Sequence, residues 1–218
     1  MLIMSHKKVR QIGLSNLSLT GNIYSAKGNE IVNFESSLER DYIHLLEYDT
    51  KVYKYYEQPL KIYYGNNQYY VPDFFVQYHS KDVKSELIEI KYINDLVENK
   101  EKYKLKFEAA QAFCSDNGLK FNIVTEEQIR YGHRLQNAKF LLGYRSPKVG
   151  FDDGLMTVLE RVIESHKIVS IQETLDLAIT CEEKKAELLY VLLHMLSKRY
   201  INFDETTKLT MDTLIFLE

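Results

Sequence analysis

Tryptophan is absent from this 218-residue chain, cysteine occurs twice and proline three times, and no long apolar run is present. Cys114 and Cys181 stand far apart and lack metal-ligand spacing, so both are expected to be buried, reduced thiols. No stretch approaches the roughly 18 apolar residues of a membrane span. The opening Met1-Leu2-Ile3-Met4 is too short for the apolar region of a secretory signal, which makes a cytoplasmic location the expectation. A strong charge of either sign is also missing: 28 Lys and Arg against 31 Asp and Glu leave a net charge of −3. That excludes the strongly basic body of a non-specific DNA coat protein, so any DNA contact must use local patches or partners. The balance shifts along the chain, with 20 basic against 18 acidic residues over 1–145 and 8 against 13 over 146–218.

What is present is ordinary globular material, 45% hydrophobic and 27% charged, enough for one larger or two small domains. Tyrosine is abundant at 17 residues, and the cluster from Tyr48 to Tyr70 suits strand packing better than base stacking. The stretch from Tyr69 to Lys91 organises the chain. Tyr69 to Val76 reads as a strand entered through Pro72, with Asp73 next, and Glu86 to Tyr92 as a second strand. Strand side chains alternate, so Glu89 and Lys91 share one face while Ile88 and Ile90 take the other. A turn over the polar His79–Ser85 run would return the second strand beside the first and bring Asp73 to Glu89. Paired carboxylates suit a hard cation such as Mg²⁺, with Mn²⁺ as substitute, and a neighbouring ammonium can hold a water or offset charge on a phosphate. Phosphodiester hydrolysis is the reaction class implied. An amphipathic strand bearing a surface ion pair is the plainer alternative.

Taken in order, Ser5 to Lys27 reads as a loosely structured basic arm, with residues 1–30 forming its span. Asn33 to Leu46 is a helix by its apolar stripe, and Glu39 borders that stripe. Ser36-x-x-Glu39 also fits a capping box, so Glu39 has both a local and a site reading. Asp49 to Gln58 is a first strand closed by Pro59. Gly65-Asn66-Asn67 marks a hairpin. A helix is expected over Glu98–Asp116, a short strand over Phe121–Val124, a helix opened by the Thr125–Gln128 capping box, and another over Arg134–Leu142. The lysines at 100, 102, 104 and 106 read as a solvated face. Helix, three strands, helix, strand predicts a mixed α/β sheet with flanking helices over 31–145. Pro147 forbids helix continuation and sets a boundary there. Over 146–218 the pattern predicts three helices and a two-stranded wing, a winged helix-turn-helix. Its third helix carries Glu182, Glu183 and Glu187, which phosphate would repel, so protein docking is expected of it rather than duplex reading.

Pro72-Asp73 with Glu89-Ile90-Lys91 resembles the PD-(D/E)xK motif of restriction-endonuclease-like nucleases. Together with Thr20-Gly21, Ser25-x-Lys27, Phe34 to Asp41, Leu46 to Asp49, Glu57-Gln58-Pro59 and Tyr70 to Val76, it resembles TnsA, the endonuclease subunit of heteromeric transposases. The resemblance implies a restriction-endonuclease-like fold and metal-dependent cutting of the 5′ strands at transposon ends. The partners it implies are transposon-end DNA, a TnsB-like DDE transposase and a TnsC-like ATPase regulator that the C-terminal domain contacts. It further implies Glu39, Asp73, Glu89 and Lys91 as catalytic residues, the three acids as metal ligands and Gln58 as a neighbour of the site. The location implied is the prokaryotic cytoplasm, with nucleoid association during action. A stand-alone restriction or repair nuclease and a non-catalytic transposase adaptor are the competing readings.

Overall fold

Strands β1 (Gly21–Ser25) and β2 (Glu30–Phe34) pair antiparallel in register Gly21↔Phe34 and open the first of two units, Met1–Ile129 and Arg130–Glu218. This computed structural model describes residues 19–65, 68–146 and 153–217. Most of the expected basic arm lies outside the described residues, but its last part is not loose. The buried Glu47 carboxylate accepts from the Ser25 hydroxyl at 2.6 Å and the Ala26 N–H at 3.2 Å, and Lys27 donates to the carbonyls of Asp49 and Val52. Side-chain partners far along the sequence fix what local composition leaves open.

Helix α1 (Ser37–Tyr48) follows, capped by Ser36, and buries Leu38, Ile43, Leu45, Leu46 and Tyr48. Next come β3 (Val52–Glu57), the hairpin β4 (Ile62–Tyr64) and β5 (Gln68–Tyr70), then β6 (Phe74–Tyr78) and β7 (Glu86–Ile90). β3 is shorter than expected because Asp49 begins a turn, its carboxylate accepting from the Lys51 N–H at 2.9 Å. The helix expected from Glu98 is α3 (Lys100–Asp116), and an unexpected short α2 (Ile93–Glu98) precedes it, the two separated at Asn99, whose side chain donates to Asp95 at 2.8 Å. β8 (Lys120–Val124) and the short α4 (Glu126–Ile129) complete the unit.

The main sheet has the order β3-β6-β7-β8, antiparallel except for the last pair. A parallel pair needs a crossover, and α3 supplies it. Phe75 and Leu87 pack with Ala110 and Cys114 of α3, whereas Phe74 turns to Tyr42 of α1 at 5.6 Å between ring centroids. A mixed sheet between helices is consistent with a restriction-endonuclease-like core.

The second unit holds α5 (Arg134–Leu142), α6 (Asp153–His166), β9 (Val169–Ser170), α7 (Ile171–Ala178), α8 (Glu182–Lys198), β10 (Asn202–Phe203) and β11 (Leu214–Phe216). Leu159, Ile163, Leu175, Leu192, Met195 and Ile215 are buried in it, and its small sheet runs β10-β11-β9. The division falls earlier in the chain than the expected boundary near Pro147. The cause is Asn137 of α5, buried, donating to the carbonyls of Glu205 (3.0 Å) and Thr207 (2.7 Å) and accepting from the Leu209 N–H (3.1 Å). Gly132 permits the same closeness, since a Cβ there would meet the Thr206 carbonyl oxygen at 2.5 Å. The last strand of the small sheet is only β11 because Thr213 closes a turn before it, its hydroxyl accepting from the Thr210 N–H at 2.8 Å. Cys114 is buried as expected, but Cys181 is exposed, at the position preceding α8, where it packs into no core.

Glu47 also accepts from the Tyr55 hydroxyl at 2.8 Å, so removing it takes the acceptor from two buried hydroxyls, those of Ser25 and Tyr55. Glu47→Ala is expected to destabilise the first unit by on the order of 3 kcal/mol, read from urea unfolding. A cost near zero would show that this carboxylate does not pin the entering hairpin.

Candidate active site

Asp73 stands one residue before β6, and Glu89 lies one residue before the end of β7. The antiparallel register Phe74↔Ile88, carried one step outward, sets Asp73 opposite Glu89. Tight backbone bonds hold the pair there. The Asp73 carboxylate accepts from the Ile90 N–H at 2.7 Å, and the Asp73 carbonyl accepts from the Gln58 N–H at 2.9 Å. Gln58 has φ of 43°, in the left-handed region, and its side chain donates to Glu35 at 2.9 Å. A non-glycine residue held there is strained, and it stands against a candidate site residue.

Glu89 is 3% exposed in its side chain yet fully engaged. Its Oε2 accepts from the Tyr70 hydroxyl at 2.6 Å, its Oε1 lies 2.9 Å from the Lys91 ammonium, and Lys106 of α3 stands 3.6 Å away. Lys91 also lies 3.9 Å from Asp73 and donates to the Ile90 carbonyl at 3.0 Å. Burial, reinforced by Glu89, pushes the Asp73 carboxyl well above the usual carboxylate range, against the pull of Lys91. Burial by itself would lower Lys91, but Asp73 and Glu89 overcome it and raise the ammonium's pKa. Tyr70 is raised by burial and by Glu89, which keeps its hydroxyl a donor. Lys106 is lowered, chiefly by burial.

The structure thus brings Asp73, Glu89 and Lys91 together. Glu39 is placed differently. Its carboxylate accepts from the Glu35 N–H at 2.8 Å and the Ser36 hydroxyl at 2.9 Å while its own N–H donates to Ser36 at 3.1 Å, so it works at the start of α1. Burial is the main cause that raises its carboxyl, and Lys91 acts on it only through its field. Among the described residues no group of three or more His, Cys, Asp and Glu side chains is set to hold a metal, so Glu39 does not join the other two in such a cluster. Two carboxylates that share Lys91 remain, and that pair of oxygen donors fits Mg²⁺, which takes one or two carboxylates and keeps several waters.

Residues 49–126 match the model of the TnsA-like endonuclease N-terminal domain. That span is similar to a TnsA-like endonuclease. A domain of this kind points to a nuclease of Tn7-like transposition, and the matched span includes Asp73, Glu89 and Lys91 but neither Glu39 nor the second unit. No curated protein matches the chain. Around the TnsA-like site, sequence reasoning missed Tyr70 and Lys106. The spacing of Lys102 and Lys106, one helical turn apart beside Tyr103 and Phe107, was the available signal for the lysine.

A raised carboxyl means that the folded chain takes up a proton more readily than the unfolded one, so Asp73 costs stability above its raised pKa and the cost fades towards the ordinary 3.8. Asp73→Asn is therefore expected to raise the melting temperature at pH 7 in chelator, by about 2–4 °C per kcal/mol relieved, with the gain disappearing at acid pH. A lower melting temperature at pH 7 would show that the Lys91 attraction outweighs the desolvation of Asp73.

Proposed function

We propose that the chain is a metal-dependent DNA endonuclease that cuts the 5′, non-transferred strands at transposon ends, beside a TnsB-like DDE transposase that processes the other strand. The observation that carries this reading is the opposed Asp73 and Glu89 with Lys91 against both, inside a TnsA-like endonuclease domain. Asp73 and Glu89 would hold Mg²⁺, or Mn²⁺ in its place. When bound, the ion supplies Lewis acidity towards the phosphate and a water of lowered pKa.

The chain's own groups do the rest. The Ile90 N–H fixes the orientation of Asp73, and the Tyr70 hydroxyl fixes that of Glu89. Lys91 keeps its proton and turns a full positive charge towards the site, where it offsets the charge that builds on the phosphate as water attacks and the phosphorus–oxygen ester bond breaks. Glu39 buttresses the site by anchoring the start of α1 and by adding its field to Asp73.

The second unit orders its elements α6-β9-α7-α8-β10-β11, with β11 between the other two strands, which supports a winged-helix reading. Its exposed α8 start bears Glu182, Glu183 and Glu187. Acid there favours a protein partner, a TnsC-like ATPase regulator, over duplex DNA. The near-neutral chain relies on the transposase to bring it to the DNA end.

Asp73→Ala is expected to abolish strand cleavage in the reconstituted transposase reaction with the fold intact by circular dichroism. Lys91→Ala is expected to lose about 10²–10³-fold in rate. Mn²⁺ titrated calorimetrically should bind the unsubstituted chain and not Asp73→Ala. Cleavage retained by Asp73→Ala would sink the site assignment, and sequence-specific cutting by the chain alone would contradict its reliance on the transposase.

A further inference from the structure

Next to Asp73 lies a cleft of about 330 Å³ between α3 and the β4–β5 hairpin, lined among others by Tyr64, Tyr69, Tyr70, Lys102 and Lys106. Lys106 is the unexpected member. Its side chain is 17% exposed, and its ammonium lies 4.2 Å from the centroid of the Tyr103 ring and 5.2 Å from that of Tyr70. Rings of this kind favour a cation over their faces. Lys102, one turn earlier on α3, is exposed, so the two ammoniums run from solvent to the active centre along one helix face.

Lys106 is the most distant of the partners of Glu89. Both Glu89 oxygens already have close partners, Lys91 at 2.9 Å and Tyr70 at 2.6 Å, while Lys106 stands beyond hydrogen-bond range at 3.6 Å. Without a metal, two carboxylates face two ammoniums. A divalent cation held by Asp73 and Glu89 offsets those carboxylates by itself and leaves Lys91 and Lys106 short of negative charge. The anion that this chemistry calls for is a phosphodiester, whose charge grows as it is attacked.

We propose that this cleft seats the DNA strand at the point of cutting, with the Lys106 ammonium on an oxygen of the phosphate there and Lys102 on the next phosphate. This rests on the nuclease reading and extends it from the metal-binding pair to the hold on the substrate. Tyr64 and Tyr69 of the β4–β5 hairpin line the same cleft.

The test is fluorescence anisotropy with a fluorescein-labelled 20-base-pair duplex in Ca²⁺, at chain concentrations up to 100 µM and across a salt series. The chain would be compared with Lys106→Met, Lys106→Arg and, as a control, Lys84→Met in the exposed β6–β7 turn. Lys106→Met keeps the apolar stem against the rings and removes only the charge. The slope of log affinity against log salt is expected to fall by about 0.9 for Lys106→Met and to hold for Lys106→Arg and Lys84→Met. Mn²⁺ affinity by calorimetry should not fall in Lys106→Met. An unchanged slope in Lys106→Met, or a tenfold loss of Mn²⁺ affinity in its place, overturns the proposal and leaves the nuclease reading standing. No salt-dependent binding by the unsubstituted chain overturns the proposed seat, and the nuclease reading then stands or falls by strand cleavage in the reconstituted transposase reaction.

Discussion

Two carboxylates opposed across one antiparallel strand pair, Asp73 and Glu89, set the terms for the rest of the first unit. Like charges brought together out of water oppose folding, and the raised Asp73 carboxyl registers that cost. The surroundings offset it with groups that hold the pair in place. An N–H comes from β7, a hydroxyl from Tyr70 at the end of β5, an ammonium from Lys91, and another from α3. They come from the end of β7, from the hairpin and from α3, so the site forms only when the sheet, the hairpin and the crossover helix are all in place.

That dependence explains the small irregularities around the site. Gln58 takes a left-handed backbone where β3 ends, which lets its N–H reach the Asp73 carbonyl and its side chain reach Glu35. The break at Asn99 starts α3 afresh, and Tyr103 in its first turns donates to Asp95 of α2 at 2.6 Å while its ring lies beneath the Lys106 ammonium. Strain and interruption in these places serve the placement of charge. The remainder of the core, Phe75 and Leu87 against Ala110 and Cys114, is apolar packing that keeps the β7 register from slipping.

The second unit follows other rules. A single buried amide, Asn137, ties α5 to the segment from Glu205 to Leu209 through three hydrogen bonds, and a glycine allows the backbone to approach. Composition changes near Pro147, but contacts decide where a unit begins.

The sequence by itself determined the order of α1, β3, the β4–β5 hairpin, β6, β7, α3 and β8, the alternation that separates Glu89 and Lys91 from Ile88 and Ile90, and the cap at Ser36, because these depend on neighbours within a few residues. It also carried the motif spacing that brings Asp73 to Glu89, since a strand, a turn and a return leave few registers. Only the tertiary structure decided that Glu39 spends its carboxylate on the start of α1, that the entering hairpin is pinned by Glu47, that α5 belongs to the second unit, and that Lys106 out of four lysines faces the site. Those choices turn on which side chains meet across long stretches of chain. Pattern reading is blind to them, because a lysine on a solvated face and one folded over a tyrosine ring have the same spacing until the helix is docked.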